Sequence, residues 1–128
     1  MISLILDTET TGLFERKLPL GHPDQPDIIQ FCGWLDRDGT VVSTVNVFVH
    51  GEKEIGEEAY KAHRIDRDLT AAVGISRRRL CFLVDELVRK ADVIVGHNID
   101  FDIKMLLIAM QRENGSGKNI VSKLNIAR

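Results

Sequence analysis

The chain has 128 residues, of which 44% are hydrophobic and 28% charged, and its formal net charge is −2. That length suits one small domain with a real core, and the composition is that of an ordinary globular protein rather than a disordered or fibrous one. No long uncharged apolar run points to a membrane span, the N-terminus lacks the basic region and cleavage pattern of a signal peptide, and the charge gives no global pull toward nucleic acid. A phosphate substrate is still compatible, because an acidic metal site lowers the net charge by itself. Cys32 and Cys81 have no metal-type spacing. Both read as reduced core residues of a cytosolic protein.

The first predicted element is the apolar run Ile2–Leu6, which continues into Asp7-Thr8-Glu9-Thr10-Thr11-Gly12. The run is apolar on both faces, as expected of a central buried strand. Leu13 to Asp27 contains Pro19, Pro23, Pro26 and Gly21, so no helical or strand period survives and the segment is a loop. It reads as a plain connection to the next strand, with a substrate-flanking flap as the alternative. Ile28 to Leu35 and Thr40 to Val49 read as a hairpin joined by Asp36-Arg37-Asp38-Gly39. In its second strand, Val41, Val45, Val47 and Val49 share one face, and Thr44 and Asn46 lie on the partly exposed other.

Short helices are expected over Glu54–Ala62 and Asp68–Val73, the second ended by Gly74. Ser76 is placed to cap a longer helix, Arg78–Ala91, whose apolar positions 80, 83, 84, 87, 88 and 91 follow a helical period. Arg77, Arg78 and Arg79 read as its solvated start, with a phosphate contact as the alternative. Asp92–Gly96 is a short buried strand. From Ile99 a helix carries Ile99, Ile103, Leu106, Leu107 and Met110 on one face. Asn114-Gly115-Ser116-Gly117 ends it, and Ile120–Arg128 reads as a strand or a fraying end. This alternation indicates an α/β sheet that includes a hairpin.

The chemistry lies in the acids. Side chains alternate along a strand, so Asp7 and Glu9 point the same way. Two carboxylates projecting together repel unless a cation lies between them, and hard divalent ions such as Mg²⁺ take carboxylate oxygens plus substrate phosphates. A second acidic segment is Val95-Gly96-His97-Asn98-Ile99-Asp100-Phe101-Asp102. Two residues along a helix turn about 200°, so Asp100 and Asp102 face opposite ways. Asp102 falls beside the core-facing stripe and is assigned to the site. Asp100 falls toward solvent or the helix N-terminus, where the dipole favours a carboxylate, and is assigned to helix capping. A strand ending at Gly96 aims Asp102 at the carboxyl edge of the sheet, where ligands of open α/β sheets bind.

Asp7-Thr8-Glu9-Thr10-Thr11-Gly12-Leu13 and Gly96-His97-Asn98-Ile99-Asp100-Phe101-Asp102 resemble the first two motifs of the DEDD superfamily of 3′-5′ exonucleases, in its proofreading, epsilon-like branch. Ala62-His63-Arg64-Ile65 resembles the family's His-Gly-Ile element, with Arg64 in place of the glycine. Leu124–Arg128 is similar to a stretch that follows the second motif. The resemblance implies an RNase H-like mixed sheet, an antiparallel hairpin plus parallel strands, flanked by helices. It implies removal of nucleoside monophosphates from the 3′ ends of single-stranded DNA or RNA. Asp7, Glu9 and Asp102 would be the catalytic metal ligands for Mg²⁺ or Mn²⁺. Two such ions about 3.5–4 Å apart can clamp the attacking and leaving oxygens. Thr10, Gly12 and Leu13 would lie along the terminal nucleotide, and His97, Asn98 and Phe101 would line or support the cleft.

The family's third motif, a general-base His five residues before a fourth metal-binding Asp, has no counterpart: no His follows His97 and no Asp follows Asp102. His22 with Asp27, His63 with Asp68 and His97 with Asp102 all share that spacing, so spacing alone carries no weight. Residues 1–128 are therefore expected to form one exonuclease-like domain, incomplete at its C-terminus. The partners expected are a single-stranded 3′ end and a polymerase or a complementing chain. A module that binds nucleic acid without turnover is the alternative.

Overall fold

The computed structural model describes residues 1–124. All of the Leu124–Arg128 stretch except Leu124 lies outside them. The elements are β1 (Ile2–Thr10), β2 (Ile28–Arg37), β3 (Thr40–Phe48), α1 (Glu57–His63), α2 (Arg67–Val73), α3 (Arg77–Lys90), β4 (Val93–Val95), α4 (Ile99–Arg112) and α5 (Lys118–Ser122). The sheet order is β3-β2-β1-β4, with β2 antiparallel to both β1 and β3, and β4 parallel to β1. This is the mixed α/β sheet flanked by helices that the sequence predicts.

Alternation along the strands decides which face is covered. Leu4, Leu6, Phe31, Leu35 and Ile94 point to one side, into a core built with Leu80, Val84, Leu87 and Val88 of α3 and Ile103, Leu106 and Met110 of α4. The opposite face carries Ile5, Asp7 and Glu9 in register with Trp34, Cys32 and Gln30. It is open at Asp7, Trp34, Thr44, Asn46 and Val95. β1 is thus central, as expected, but not buried on both faces. Its Ile5 and Glu9 are only half-buried.

The Asp38-Gly39 turn has positive φ at both residues, 53° and 92°, which matches the twist of a two-residue hairpin. β3 departs from the simple alternation. The register shifts between Leu35 and Asp36, so Leu35 pairs with Ser43 and Asp36 with Val41, leaving Val42 unpaired. Val41 is consequently 51% exposed, although Val45 and Val47 do pack against the core and Val49 is buried. A bulge changes the phase of everything before it.

Helix limits follow their caps. Asp66 accepts a bond from Leu69 N–H, and Ser76 accepts one from Arg79 N–H. In α3 the buried stripe includes Cys81, while Leu83 is only half-buried. In α4 the buried face is wider than the predicted stripe. Asp102, Met105, Ile108 and Ala109 are buried with it, and Ile99 and Leu107 lie at its margin. In the part of the Ile120–Arg128 segment that is described, residues 120–124, there is no strand, and residues 120–122 belong to α5. Ile120 is buried in the core cluster, Asn119 Nδ2 donates to Asp85 Oδ1 of α3 at 3.0 Å, and Lys123 Nζ donates to the Ala91 carbonyl at 2.6 Å.

The Pro-rich loop is neither a bare connection nor a loose flap. The side chain of Gln25 is fully buried, accepts from Glu15 N–H at 3.0 Å, and donates to the carbonyls of Glu15 and Leu18 at 2.9 and 3.1 Å. Arg112, at the end of α4, donates to Asp27 Oδ1 at 2.6 Å, to Gln25 O at 2.6 Å and to Pro26 O at 3.0 Å. Arg77 reaches the same Asp27 oxygen at 3.8 Å and Glu113 at 2.9 Å, so it is not the solvated residue expected at the start of α3. Arg78 and Arg79 are exposed.

Arg112→Ala leaves the buried Asp27 carboxylate with Arg77, at 3.8 Å, as its remaining cation, and with the Glu52 and Lys53 N–H groups donating to its Oδ2 at 3.0 Å. The expected loss is about 3 kcal/mol, the low end for breaking a buried pair, read as a lower urea midpoint. Cys81 gives a second check. Burial pushes its thiol up to about 11. Below pH 9 a thiol reagent should modify Cys32 first and reach Cys81 only through unfolding, as mass spectrometry of timed reactions would show.

Candidate active site

β1 is longer than its parallel neighbour. Ser3, Leu4 and Ile5 pair with Val93, Ile94 and Val95, and there β4 ends. Gly96 lets the chain turn close against β1, since a Cβ there would meet Leu6 O at 3.1 Å and Ile99 Cδ1 at 2.9 Å. From Leu6 onward the free edge of β1 lacks a strand partner, and an unpaired N–H there needs another acceptor. Asp102, in the first turn of α4, supplies it. Its Oδ1 accepts from Thr8 N–H at 3.2 Å and from the Thr8 hydroxyl at 2.6 Å.

This contact carries Asp102 to the strand that bears Asp7 and Glu9. Asp102 is 2% exposed, and its Oδ2 has no hydrogen-bond partner among the described residues. Burial pushes its carboxyl upward from the ordinary value, the Thr8 hydroxyl opposes this, and repulsion from Asp7 and Glu9 adds to it. Glu9 is pushed upward by burial and then by Asp7. The three acids therefore feel one another. Among the described residues, however, no three His, Cys, Asp or Glu side chains stand close enough to enclose an ion.

Beside the acids lies a cleft of about 600 Å³, lined by Glu9, Thr10, Gly12, Leu13 and Phe101 on one side and by Ala59, Ala62 and His63 of α1 on the other. The end of β1 is re-aimed toward it by a register shift between Glu9 and Thr10. Leu13 is 82% exposed and Phe101 half-buried, so both present apolar surface to the opening. Thr10 turns its hydroxyl inward to Gly12 O at 2.7 Å. Nothing lies within 4 Å of a Cβ built on Gly12. His97 and Asn98 are exposed and do not line this cleft. Asp100 is exposed in the first turn of α4 and Asn98 holds the cap position without a side-chain bond, so Asp100 serves the dipole rather than a capping bond.

α1 buries none of its residues and is held by polar contacts at both ends. Gly56 N–H donates to Thr11 O at 2.9 Å, a close approach that leaves a Cβ only 3.1 Å from that oxygen. At the other end, His63 Nδ1 accepts from Ile65 N–H at 3.0 Å, so the ring proton is on Nε2, which donates to Thr10 O at 3.1 Å. Arg64 has φ 60°, a position that suits the glycine it replaces. Sequence reasoning places His63 in a recognised element but misses its role as a wall. It also misses Thr8, Ala59 and Ala62, for which no chemical signal exists in the sequence.

No family model and no curated protein matches this chain. Solved structures do. The chain is similar to a product-bound exonuclease I, with 17% identity over 90% of this chain and 26% of that one, at a TM-score of 0.76. It is also similar to the E. coli exonuclease I in complex with a dT13 oligonucleotide, with 17% identity over 90% of this chain and 24% of that one, at a TM-score of 0.74. Exonuclease I from Methylocaldum szegediense matches at 19% identity over 83% of this chain and 23% of that one, at a TM-score of 0.66. The fold is the RNase H-like fold of these exonucleases. This chain spans about a quarter of their length.

His63→Ala removes one of the two tethers of α1. Amide exchange in α1 should quicken while α3 and α4 stay protected, and the global urea midpoint should barely move.

Proposed function

We propose that this chain is a metal-dependent 3′-5′ exonuclease domain that removes nucleoside monophosphates from single-stranded DNA or RNA. The observation that carries the reading is the meeting of Asp102 with the Asp7–Glu9 strand beside an open, largely apolar cleft. The fold shared with exonuclease I supports it.

The donors fit a hard divalent ion, Mg²⁺ or Mn²⁺. They are carboxylate oxygens under mutual repulsion, and one of them, Asp102 Oδ2, is buried without a partner. They do not form a closed cage, but Mg²⁺ keeps several waters and takes one or two carboxylates plus substrate phosphates. Asp7, Glu9 and Asp102 would hold the ion or ions. When bound, the metal would polarise the phosphoryl group and lower the pKa of a bound water. The chain's own residues do the rest. Leu13 and Phe101 offer apolar faces to the terminal base, Gly12 leaves room for the sugar-phosphate, and Thr10 fixes the turn between them. At the start of α4 the Asn98 carbonyl accepts from the N–H groups of Phe101 and Asp102, at 3.1 and 3.2 Å. α1 forms one wall of the cleft. Proofreading beside a polymerase is the setting the motif resemblance favours, and two free cysteines suit the cytoplasm. No helix among the described residues is long and apolar enough to cross a membrane.

A second reading is binding without turnover, and one observation favours it. His63, which lines the cleft, has both ring nitrogens engaged, by Ile65 N–H and Thr10 O, so it is not free to take a proton from water. Absence of a general base lowers the rate by roughly 10²–10⁴. The domain then gains turnover only when another segment or chain brings a His and an Asp.

A 5′-labelled single strand should be shortened from its 3′ end only with Mg²⁺ or Mn²⁺, and Asp7→Ala should abolish this. Equal inertness of wild type and variant excludes catalysis by this chain. A stability measurement tests the ion separately. The folded-state value of Asp102 lies above its ordinary 3.8, so its ionised form costs stability as pH rises from that value. Without metal, Asp102→Asn should therefore exceed wild type in urea midpoint at pH 7, and the gap should close toward pH 4. Mg²⁺ should raise the wild-type midpoint and leave the variant unmoved.

A further inference from the structure

Asp27 stands where the Pro-rich loop enters β2, 4% exposed, and each of its polar atoms is bonded. Its N–H donates to the Thr11 hydroxyl at 3.0 Å, and its carbonyl accepts from Thr11 N–H at 2.9 Å. Its Oδ1 accepts from Arg112 at 2.6 Å. Its Oδ2 accepts from the N–H groups of Glu52 and Lys53, each at 3.0 Å. One buried residue thus joins the end of β1, the last residue of α4 and the segment that leads from β3 into α1.

The side-chain type follows from these partners. A carboxylate has lone pairs on two oxygens and carries the charge that Arg112 meets, whereas an asparagine amide has one acceptor oxygen and cannot serve both sides. Gly51 is fitted to the same group. It is buried, and a Cβ there would lie 3.1 Å from both Asp27 Cβ and Oδ2.

The segments that Asp27 joins meet again at the cleft. Thr11 lines it, and its carbonyl accepts from Gly56 N–H at 2.9 Å. Gly56 lies three residues beyond Lys53 and precedes α1, the opposite wall, which buries none of its own residues. Without an apolar anchor, α1 takes its distance from β1 from the polar bonds at its ends and from the segment that feeds it.

We infer that Asp27 is a positioning residue for the cleft. By holding Thr11 on its backbone and Glu52–Lys53 on its carboxylate, it sets the spacing between the β1 wall and the α1 wall, and with it the fit of a terminal nucleotide. Asp27 itself lies outside the lining and touches no ligand there. This role rests on the nucleotide reading of the cleft, and adds to it a residue that governs the width from behind.

Three variants separate positioning from stability. Asp27→Asn loses the bonds of one carboxylate oxygen. Gly51→Ala crowds Oδ2 and leaves both charges in place. Arg112→Ala removes the ion pair and leaves the Glu52 and Lys53 bonds. For each, the urea midpoint, amide exchange at Gly56 relative to α3, and dTMP affinity in Mg²⁺ by chemical-shift titration are measured. Asp27→Asn and Gly51→Ala should quicken Gly56 exchange about tenfold relative to α3 and weaken dTMP by a similar factor, one hydrogen bond's worth. Arg112→Ala should lower the urea midpoint at least as far as Gly51→Ala, yet bind dTMP close to the wild-type level. A loss of dTMP affinity that simply follows the urea midpoint across all three variants overturns the positioning role. So does a Gly51→Ala protein with wild-type Gly56 exchange and affinity. If wild type binds no dTMP, the nucleotide reading of the cleft fails, and Gly56 exchange alone then supports or overturns the hold of Asp27 on α1.

Discussion

The early end of β4 is the constraint on which the site depends. A parallel partner running the full length of β1 would satisfy Thr8 N–H with a strand carbonyl, and no side chain would be needed. Because pairing stops at Ile5 and Val95, the N–H is met by Asp102 instead. The helix that follows β4 is then docked onto β1 by its own first turn, with three acids in one another's field. The cost is visible in the upward push on Asp102 and in its unpartnered oxygen. A buried carboxylate held against two like charges is a poor device for stability alone. It is a reasonable one for a site that is completed by a cation.

Around that point the structure fixes the walls by backbone bonding rather than by burial. α1 has no buried residue, yet Gly56 and His63 tie it to consecutive carbonyls at the end of β1. The Pro-rich loop has no helix or strand, yet one amide bonds its Glu15 and Leu18 carbonyls and one guanidinium those of Gln25 and Pro26. Segments held this way can be shaped to a ligand without disturbing the apolar core on which α3 and α4 rest.

What could be read from the sequence were the features with a local cause. Alternation placed Asp7 and Glu9 on one face. Helical period placed α3. Asp38-Gly39 announced a tight turn, and the order of the two acidic motifs pointed to the fold. Contacts between distant polar residues were not legible. Nothing in the sequence links Gln25 to Glu15, Arg112 to Asp27, or Thr8 to Asp102, because such pairs leave no periodic trace. The bulge beside Val42 shifted the phase of the third strand without any marker residue. α5 is a few residues long, and its helical state depends on Ile120 reaching a core that the local sequence does not display. The sequence aims Asp102 at the carboxyl edge of the sheet, and in the structure it bonds to Thr8 of β1, a partner hidden in the position between the two motif acids.

The open side of the sheet has a practical consequence. The chain has a single tryptophan, Trp34, and it lies on that side, 36% exposed and paired with Ile5, one step along the strand face from Asp7 and Cys32. Its indole is therefore a built-in optical gauge of what rests on the bare surface. Emission in the free protein reflects contact with water, and a layer laid over the strands from any source shifts that emission to the blue without a label being attached.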